Sequence, residues 1–291
     1  MPFKASELIL NPDGSIYHLN LLPENVSETI ILVGDPDRVD QVSQYFDSIE
    51  FKKRKREFHT QTGTYKNKRI TVISTGIGTD NIDIVLNELD ALMNIDFSKK
   101  EIKENLTSLD IVRIGTSGSI QEHIPVDSFV ISKQAIGFDN LLTFYDCKGL
   151  ELLKDVSESF MQHTKWSKDK SKPYVIGCDT SLFERLKSHE TIDGFTGTNV
   201  GFYGPQGRIL RLSIEDRDLN SKLATFKHKG LSITNLEMET SAIYGLSKLL
   251  NHKAVSMNAI IANRATGQFS NNPKETISRL IRYTLDKLTE N

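Results

Sequence analysis

The chain has 291 residues, enough for one large α/β domain or two small ones. Its 38% hydrophobic and 25% charged content is ordinary for a soluble globular protein, and a net charge of −2 offers nucleic acid or anionic lipid no general attraction. The two cysteines, Cys147 and Cys178, stand far apart, which argues against a disulfide framework or a structural zinc, and no apolar run approaches membrane length, so a cytoplasmic protein without a membrane partner is expected.

Residues 30–33 read as a strand and residues 37–46 as a helix. The basic run Lys52-Lys53-Arg54-Lys55-Arg56 reads as a solvated strand edge in preference to a nucleic-acid patch. Residues 62–66 and 69–74 flank Asn67-Lys68 as a hairpin. Ile82, Val85, Leu86, Leu89, Leu92 and Met93 then recur at helical spacing. Residues 111–114 and 129–132 read as strands, Leu152, Leu153, Val156 and Phe160 mark a helix, and residues 174–178 a strand. A strand over 231–236 runs into a helix carrying Ala242, Ile243, Leu246, Leu249 and Leu250. The last helix opens with Asn272 as its cap, Pro273 in its first turn and Glu275 placed to complete the cap. This alternation predicts an α/β fold, a mixed and mostly parallel central sheet with helices on both faces. No linker divides residues 1–291, so one domain is expected, with surface excursions near 96–108 and 162–172.

Chemistry concentrates at two places where a strand meets a glycine. Arg113-Ile114-Gly115-Thr116-Ser117-Gly118 reads as a strand ending in a glycine-rich turn, and Val33-Gly34-Asp35-Pro36-Asp37-Arg38 follows the first strand. Bare backbone N–H groups, hydroxyls and a forked cation suit a dianion such as phosphate. Other familiar sites are excluded. No loop ends in Gly-Lys-Ser/Thr. Gly76-Ile77-Gly78-Thr79-Asp80-Asn81 ends in asparagine where a dinucleotide fingerprint needs glycine, and Gly115-Thr116-Ser117-Gly118-Ser119 lacks the last glycine of a nucleophile elbow. The seven histidines show no metal-ligand spacing. Glu237-Met238-Glu239 lies where a strand meets a helix: its carboxylates either accept from ribose hydroxyls or serve the helix start. Phe202-Tyr203-Gly204-Pro205-Gln206-Gly207-Arg208 is a turn-rich loop able to stack on a planar base and read its edge.

Taken together, these residues resemble the nucleoside phosphorylase family, specifically its uridine phosphorylase branch. The matching pieces, in order, are Tyr17-His18-Leu19, Gly34-Asp35-Pro36-Asp37-Arg38-Val39, Arg56-Glu57-Phe58, Ser74-Thr75-Gly76-Ile77-Gly78, Arg113-Ile114-Gly115-Thr116-Ser117-Gly118, Phe202-Tyr203 with Gln206 and Arg208, Glu237-Met238-Glu239 and Asn263-Arg264. The resemblance implies a three-layer phosphorylase fold and the reaction of uridine with phosphate to give uracil and ribose 1-phosphate. By the same resemblance Gly34, Arg38, Arg113 and Thr116 hold phosphate, joined by Arg56 of a neighbouring subunit. Met238 and Glu239 hold the ribose, with His18 of the neighbour on its 5′-hydroxyl. Phe202, Gln206, Arg208 and Arg264 hold the base. Arg113, Arg208, Gln206 and Glu239 carry the catalysis.

A homodimer is then the minimum assembly and a hexamer the family's usual bacterial state. No cofactor is implied, since phosphate is a co-substrate. Relatives hold a monovalent cation where this chain has Glu57, Ile77 and Asn81, with asparagine replacing a serine, so no metal is expected here. Gly204-Pro205 and Gly207 depart from the relatives' Pro-Gly and glutamate, which leaves substrate breadth open. The alternatives are a purine nucleoside phosphorylase, disfavoured by Asn263-Arg264 where that branch carries an aspartate, and a catalytically silent nucleoside-binding protein.

Overall fold

The first strand, β1 (Thr29–Val33), divides its side chains between two cores: Ile30 and Leu32 enter one, Ile31 and Val33 the other. That is the period-two signature of a strand buried on both faces. The computed structural model describes residues 2–290. After β1 come α1 (Pro36–Ser43), then β2 (Ser48–Lys55), β3 (Phe58–Tyr65) and β4 (Lys68–Ser74), and α2 (Thr79–Asn94). A small hairpin of β5 (Ile95–Asp96) and β6 (Glu101–Ile102) leads to β7 (Asp110–Ser119) and β8 (Phe129–Gly137). Next are α3 (Lys154–Thr164), β9 (Tyr174–Gly177), α4 (Thr180–Leu186), β10 (Thr191–Thr198), α5 (Leu219–Thr225) and β11 (Asn235–Glu237). The chain closes with α6 (Thr240–Leu249), β12 (Lys253–Asn263), β13 (Gln268–Phe269) and α7 (Pro273–Thr289).

Helices α2 and α6 cover one face of the sheet, and α1, α4 and α7 cover the other. A third core, under α3 and α5, gathers Phe138, Phe160, Phe195 and Phe226. The mixed sheet has eleven strands. Parallel pairings run through β4, β1, β7 and β12, and separately through β8, β10 and β11. Antiparallel pairings of β12 with β8 and of β11 with β7 join these two blocks. The strands β7, β12, β8, β10 and β11 therefore close into a ring, which leaves none of them with an open edge at that end.

Several expectations change in detail. The stretch 115–119 is no turn: Gly118 and Ser119 pair with Leu236 and Asn235 on one side and with Ala262 and Asn263 on the other, so partners on both sides draw β7 onward. The hairpin turns at Lys66-Asn67, both in the left-handed region (φ 46° and 65°), as a tight two-residue connection requires. The strand expected over 231–236 shrinks to Asn235–Glu237. The Asn272 side chain makes no cap bond at α7; its carbonyl takes the Glu275 and Thr276 N–H groups instead. Residues 162–172 are not wholly superficial, because Trp166 stacks on Phe138 at 5.2 Å and joins the third core. Lys52 to Lys55 of the basic run lie on β2, the edge strand, alternating exposed and half-exposed, and Arg56 lies just beyond it.

Candidate functional site

A cavity of about 590 Å³ opens beyond the end of β1, between β7 and the segment from β11 to α6. Gly34, Arg38, Arg113 and Thr116 line one part, Met238 and Glu239 another, and Phe202, Gln206 and Arg208 a third. Nine residues expected to hold phosphate, ribose and base thus face one space.

Arg113 reaches it by strand alternation. Leu109 and Ile111 enter the core beneath α2 and α6, and two residues on Arg113 emerges on that same side. Its guanidinium folds down on its own strand: a Cβ at Gly115 would stand only 1.8 Å from Nη1. The group that needs bare backbone here is therefore Arg113 itself. Nη2 donates to Glu239 Oε2 at 2.5 Å and lies 3.3 Å from Glu237 Oε2, while Nη1 donates to Asn258 Oδ1 at 3.0 Å. Burial pulls the guanidinium pKa down, but the two carboxylates outweigh it and leave the value raised. Arg38 has no such company. Its Nη1 donates weakly to the Ile114 carbonyl at 3.4 Å, and its Nε is buried with no partner. Burial first, and then the charge of Arg113, hold its pKa below the usual arginine value. Two neighbouring guanidiniums, one with an orphaned donor, give the cavity a donor set of the kind that suits an anion. Asp35 serves the local fold, its side chain accepting from Asp37 N–H to cap α1.

The carboxylate pair divides its labour. Glu237, ending β11, accepts from the N–H groups of Glu239 (2.9 Å) and Thr240 (3.0 Å) and from Thr198 Oγ1 (2.7 Å), so it serves the start of α6. Glu239 accepts from Gly78 N–H at 2.8 Å and from Arg113, and lines the cavity. Burial, with added repulsion from Glu237, raises its pKa despite Arg113 and Gly78.

The loop over 202–208 turns tightly at Gly204–Gln206, with Gly207 at φ 69°. A Cβ on Gly207 would lie 2.3 Å from the Asn220 amide nitrogen, so a side chain here would require Asn220 to move. The Arg208 guanidinium lies 3.8 Å from the Phe202 ring centroid, covering one face of that ring. Its Nη1 donates to the Phe202 carbonyl and to Gln206 Oε1, each at 2.6 Å. Arg208 also faces a second, more apolar cavity of about 740 Å³ on the far side of the loop, under Trp166 and Leu219. Arg264 sits behind the cavity wall, its aliphatic part 3.7 Å from where a Gly118 Cβ would stand. Its Nη1 is buried without a partner, and burial together with Arg208 lowers its pKa to about 10.

His18 and Arg56 do not line the cavity of their own chain, and of Glu57, Ile77 and Asn81 only Ile77 does. His18 Nδ1 is 2.7 Å from Glu88 Oε1, and Glu88 also accepts from the His18 and Leu19 backbone. Arg56 is exposed, at φ 56°. At Glu57, Ile77 and Asn81, the Asn81 amide donates to the Ile77 carbonyl at 3.2 Å, occupying an oxygen that a cation would use. Among the described residues no three His, Cys, Asp or Glu side chains gather at metal-binding distance, and no helix is long and apolar enough to cross a membrane. Asn258 is a site residue that sequence reading passed over. Nothing in its neighbours marks it; only the period-two run Ser256, Asn258 of buried polar residues on β12 sets it apart.

A profile of the phosphorylase superfamily matches residues 28–285. Among curated proteins, a uridine phosphorylase of Thermococcus kodakarensis is 27% identical over 273 residues, covering 92% of this chain and 84% of the relative. A purine nucleoside phosphorylase of Bacillus subtilis is 25% identical over 260 residues, covering 86% and 88%. Among solved structures, a Trypanosoma brucei nucleoside phosphorylase described as showing uridine phosphorylase activity superposes with a TM-score of 0.88. It is 29% identical, and the match spans 97% of this chain and 99% of that one. The chain belongs to the phosphorylase superfamily.

Proposed function

We propose that the protein is a uridine phosphorylase, a cytoplasmic pentosyltransferase built as one phosphorylase domain. A phosphate oxygen attacks C1′ of the ribose as the C1′–N1 bond breaks. The bonding pair leaves with uracil, which takes a proton from water, and ribose 1-phosphate remains. The protein supplies no nucleophile; it aims phosphate and stabilises the departing base. Arg38 and Arg113, with Gly34 N–H and the Thr116 hydroxyl, hold phosphate. Glu239 accepts from the ribose hydroxyls against Met238, and Phe202, Gln206 and Arg208 take the base, with Arg264 behind them. Inorganic phosphate is the co-substrate, and the reading needs no cofactor.

The observation that carries this reading is the meeting of Arg38, whose Nε has no partner, with Arg113 in a cavity that also holds Glu239 and Gln206. Within one chain the charges of Arg38 and Arg113 are balanced by Glu237 and Glu239, so a bound dianion calls for a further cation. Arg56 from a neighbouring copy supplies it, with His18 of that copy on the 5′-hydroxyl, in a homodimer or a hexamer built from dimers. The naming of the Thermococcus and Trypanosoma relatives favours uridine. Against a purine substrate, Asn263 spends its amide on the Gln121 and Ile124 carbonyls and its Oδ1 on the Ala265 and Thr266 N–H groups. It thus offers no acid to a purine ring.

The test is uracil release from uridine with and without phosphate, beside inosine. Release only with phosphate supports the reading. Release without phosphate indicates a nucleosidase, preference for inosine a purine enzyme, and binding without release a silent receptor.

A further inference from the structure

Inside the ring of five strands lies a continuous line of six buried polar side chains, two from β7 and one from each of the other four strands. Arg113 on β7 donates to Asn258 Oδ1 on β12 at 3.0 Å, and Asn258 Nδ2 donates to Ser132 Oγ on β8 at 3.2 Å. Ser132 Oγ meets Thr196 Oγ1 on β10 at 2.6 Å, Thr196 donates to Asn235 Oδ1 on β11 at 3.0 Å, and Asn235 Nδ2 donates to Ser117 Oγ, back on β7, at 2.9 Å.

The direction of this line is fixed at its start. A guanidinium only donates, so Asn258 must turn its oxygen to Arg113 and its nitrogen to the serines. Ser132 accepts from that nitrogen and gives its proton to Thr196, whose own proton goes to Asn235. Asn258 has no freedom left, because its nitrogen also donates to Ser256 Oγ at 3.2 Å, and Ser256 accepts from Thr240 Oγ1 at the start of α6. Asn258 itself is fully buried. Opposite it in the β12–β7 register stands Gly115, the bare residue on which the Arg113 guanidinium rests.

We propose that Asn258 is a positioning residue for Arg113. The two glutamates hold Nη2 and Asn258 holds Nη1, so both arms of the fork are tied, which fixes the plane in which it meets an oxyanion. A carboxylate in its place would hold Nη1 equally well but add a third negative charge. A neutral amide anchored by two serines holds the fork and leaves its charge for phosphate. This inference rests on the phosphorolysis reading given above.

The experiment measures phosphate-dependent uracil release in full-length Asn258→Ala and Asn258→Asp, each checked for folding by thermal melting. Asn258→Ala is expected to raise the phosphate KM roughly 10- to 100-fold, with the uridine KM within about twofold of the parent, since a misaimed group loses rate steeply with small displacements. Asn258→Asp keeps the volume and the acceptor and faces Arg113, whose guanidinium also meets Glu237 and Glu239, beside the hydroxyls of Ser132 and Ser256. The ratio of its phosphate KM to the parent's at the same pH should climb with pH as the new carboxyl ionises. A role confined to packing would change neither quantity. Should Asn258→Ala not fold, the pH trend of Asn258→Asp decides alone. Folded variants with the parent's phosphate KM at every pH overturn the inference. A parent protein without phosphate-dependent release overturns the phosphorolysis reading instead, so the two failures are separable.

Discussion

Gln206 Oε1 accepts from Arg208 Nη1 at 2.6 Å, so the amide is locked with its oxygen toward the guanidinium and its nitrogen free for a ligand. The loop therefore meets its ligand with N–H donors from two side chains. Such a wall suits a base whose carbonyl oxygens gain negative charge as the glycosidic bond breaks. Arg208→Ala removes one donor and releases the other. It should lower kcat/KM for uridine by about 10²–10³, the ~2.7–4 kcal/mol of a lost oxyanion donor. Kinetics within tenfold of the parent would contradict this placement of the base.

Gly115 and Arg113 form a second coupled pair. A Cβ added at Gly115 would meet Nη1 at 1.8 Å, and the guanidinium is tied by Asn258 and Glu239, so it cannot swing aside without breaking bonds. Gly115→Ala should cost about 1–3 kcal/mol of overpacking and remove most phosphate-dependent turnover. Gly177→Ala is the control: its nearest contact would be 3.8 Å, an ordinary distance, and both its melting temperature and its kinetics should match the parent. Equal behaviour of the two variants would sink the steric account.

Much of this was legible in the sequence because it is periodic or local. The alternating apolar residues of β1, the stripe from Ile82 to Leu92 and the strand-to-helix step at Glu237 follow from side-chain geometry alone. What escaped depends on partners distant in sequence. The stretch after Ile114 has the glycine content of a turn, yet it stays a strand because β11 and β12 flank it. Asn258 lies 145 residues from Arg113, and an asparagine in a mostly apolar strand gives no local sign of the cation it faces. Trp166 sits in a polar segment whose composition hides its stacking on Phe138.

Burial pushes the Cys178 thiol up to about 12 from its usual value of 9.0, and that of Cys147 upward as well. Because the reactive form is the thiolate, the folded protein should resist iodoacetamide at pH 8, with Cys178 the slower of the two. The Cys178 rate should still be rising at pH 10, whereas both react at once in denaturant. Rapid modification of Cys178 at pH 8 in the native state, followed by mass spectrometry, would refute its assigned environment.

Arg113 carries stability besides its proposed part in phosphorolysis. In Arg113→Ala the carboxylates of Glu237 and Glu239, both nearly inaccessible, lose the cation between them. Breaking a buried pair from one side costs about 3–5 kcal/mol, which in a chain of this size lowers the melting temperature by roughly 10 °C. Glu239 already has a raised pKa through burial, and without Arg113 it rises further. A carboxyl whose folded pKa exceeds its unfolded value favours the folded state below the unfolded pKa, and this advantage fades as pH rises through the folded value. The variant should therefore regain stability relative to the parent on acidification from pH 7 to pH 5. Adding Glu239→Gln should restore part of the loss at pH 7 without restoring turnover. Melting curves that show no pH-dependent gap between parent and Arg113→Ala would mean that the two glutamates do not need this arginine.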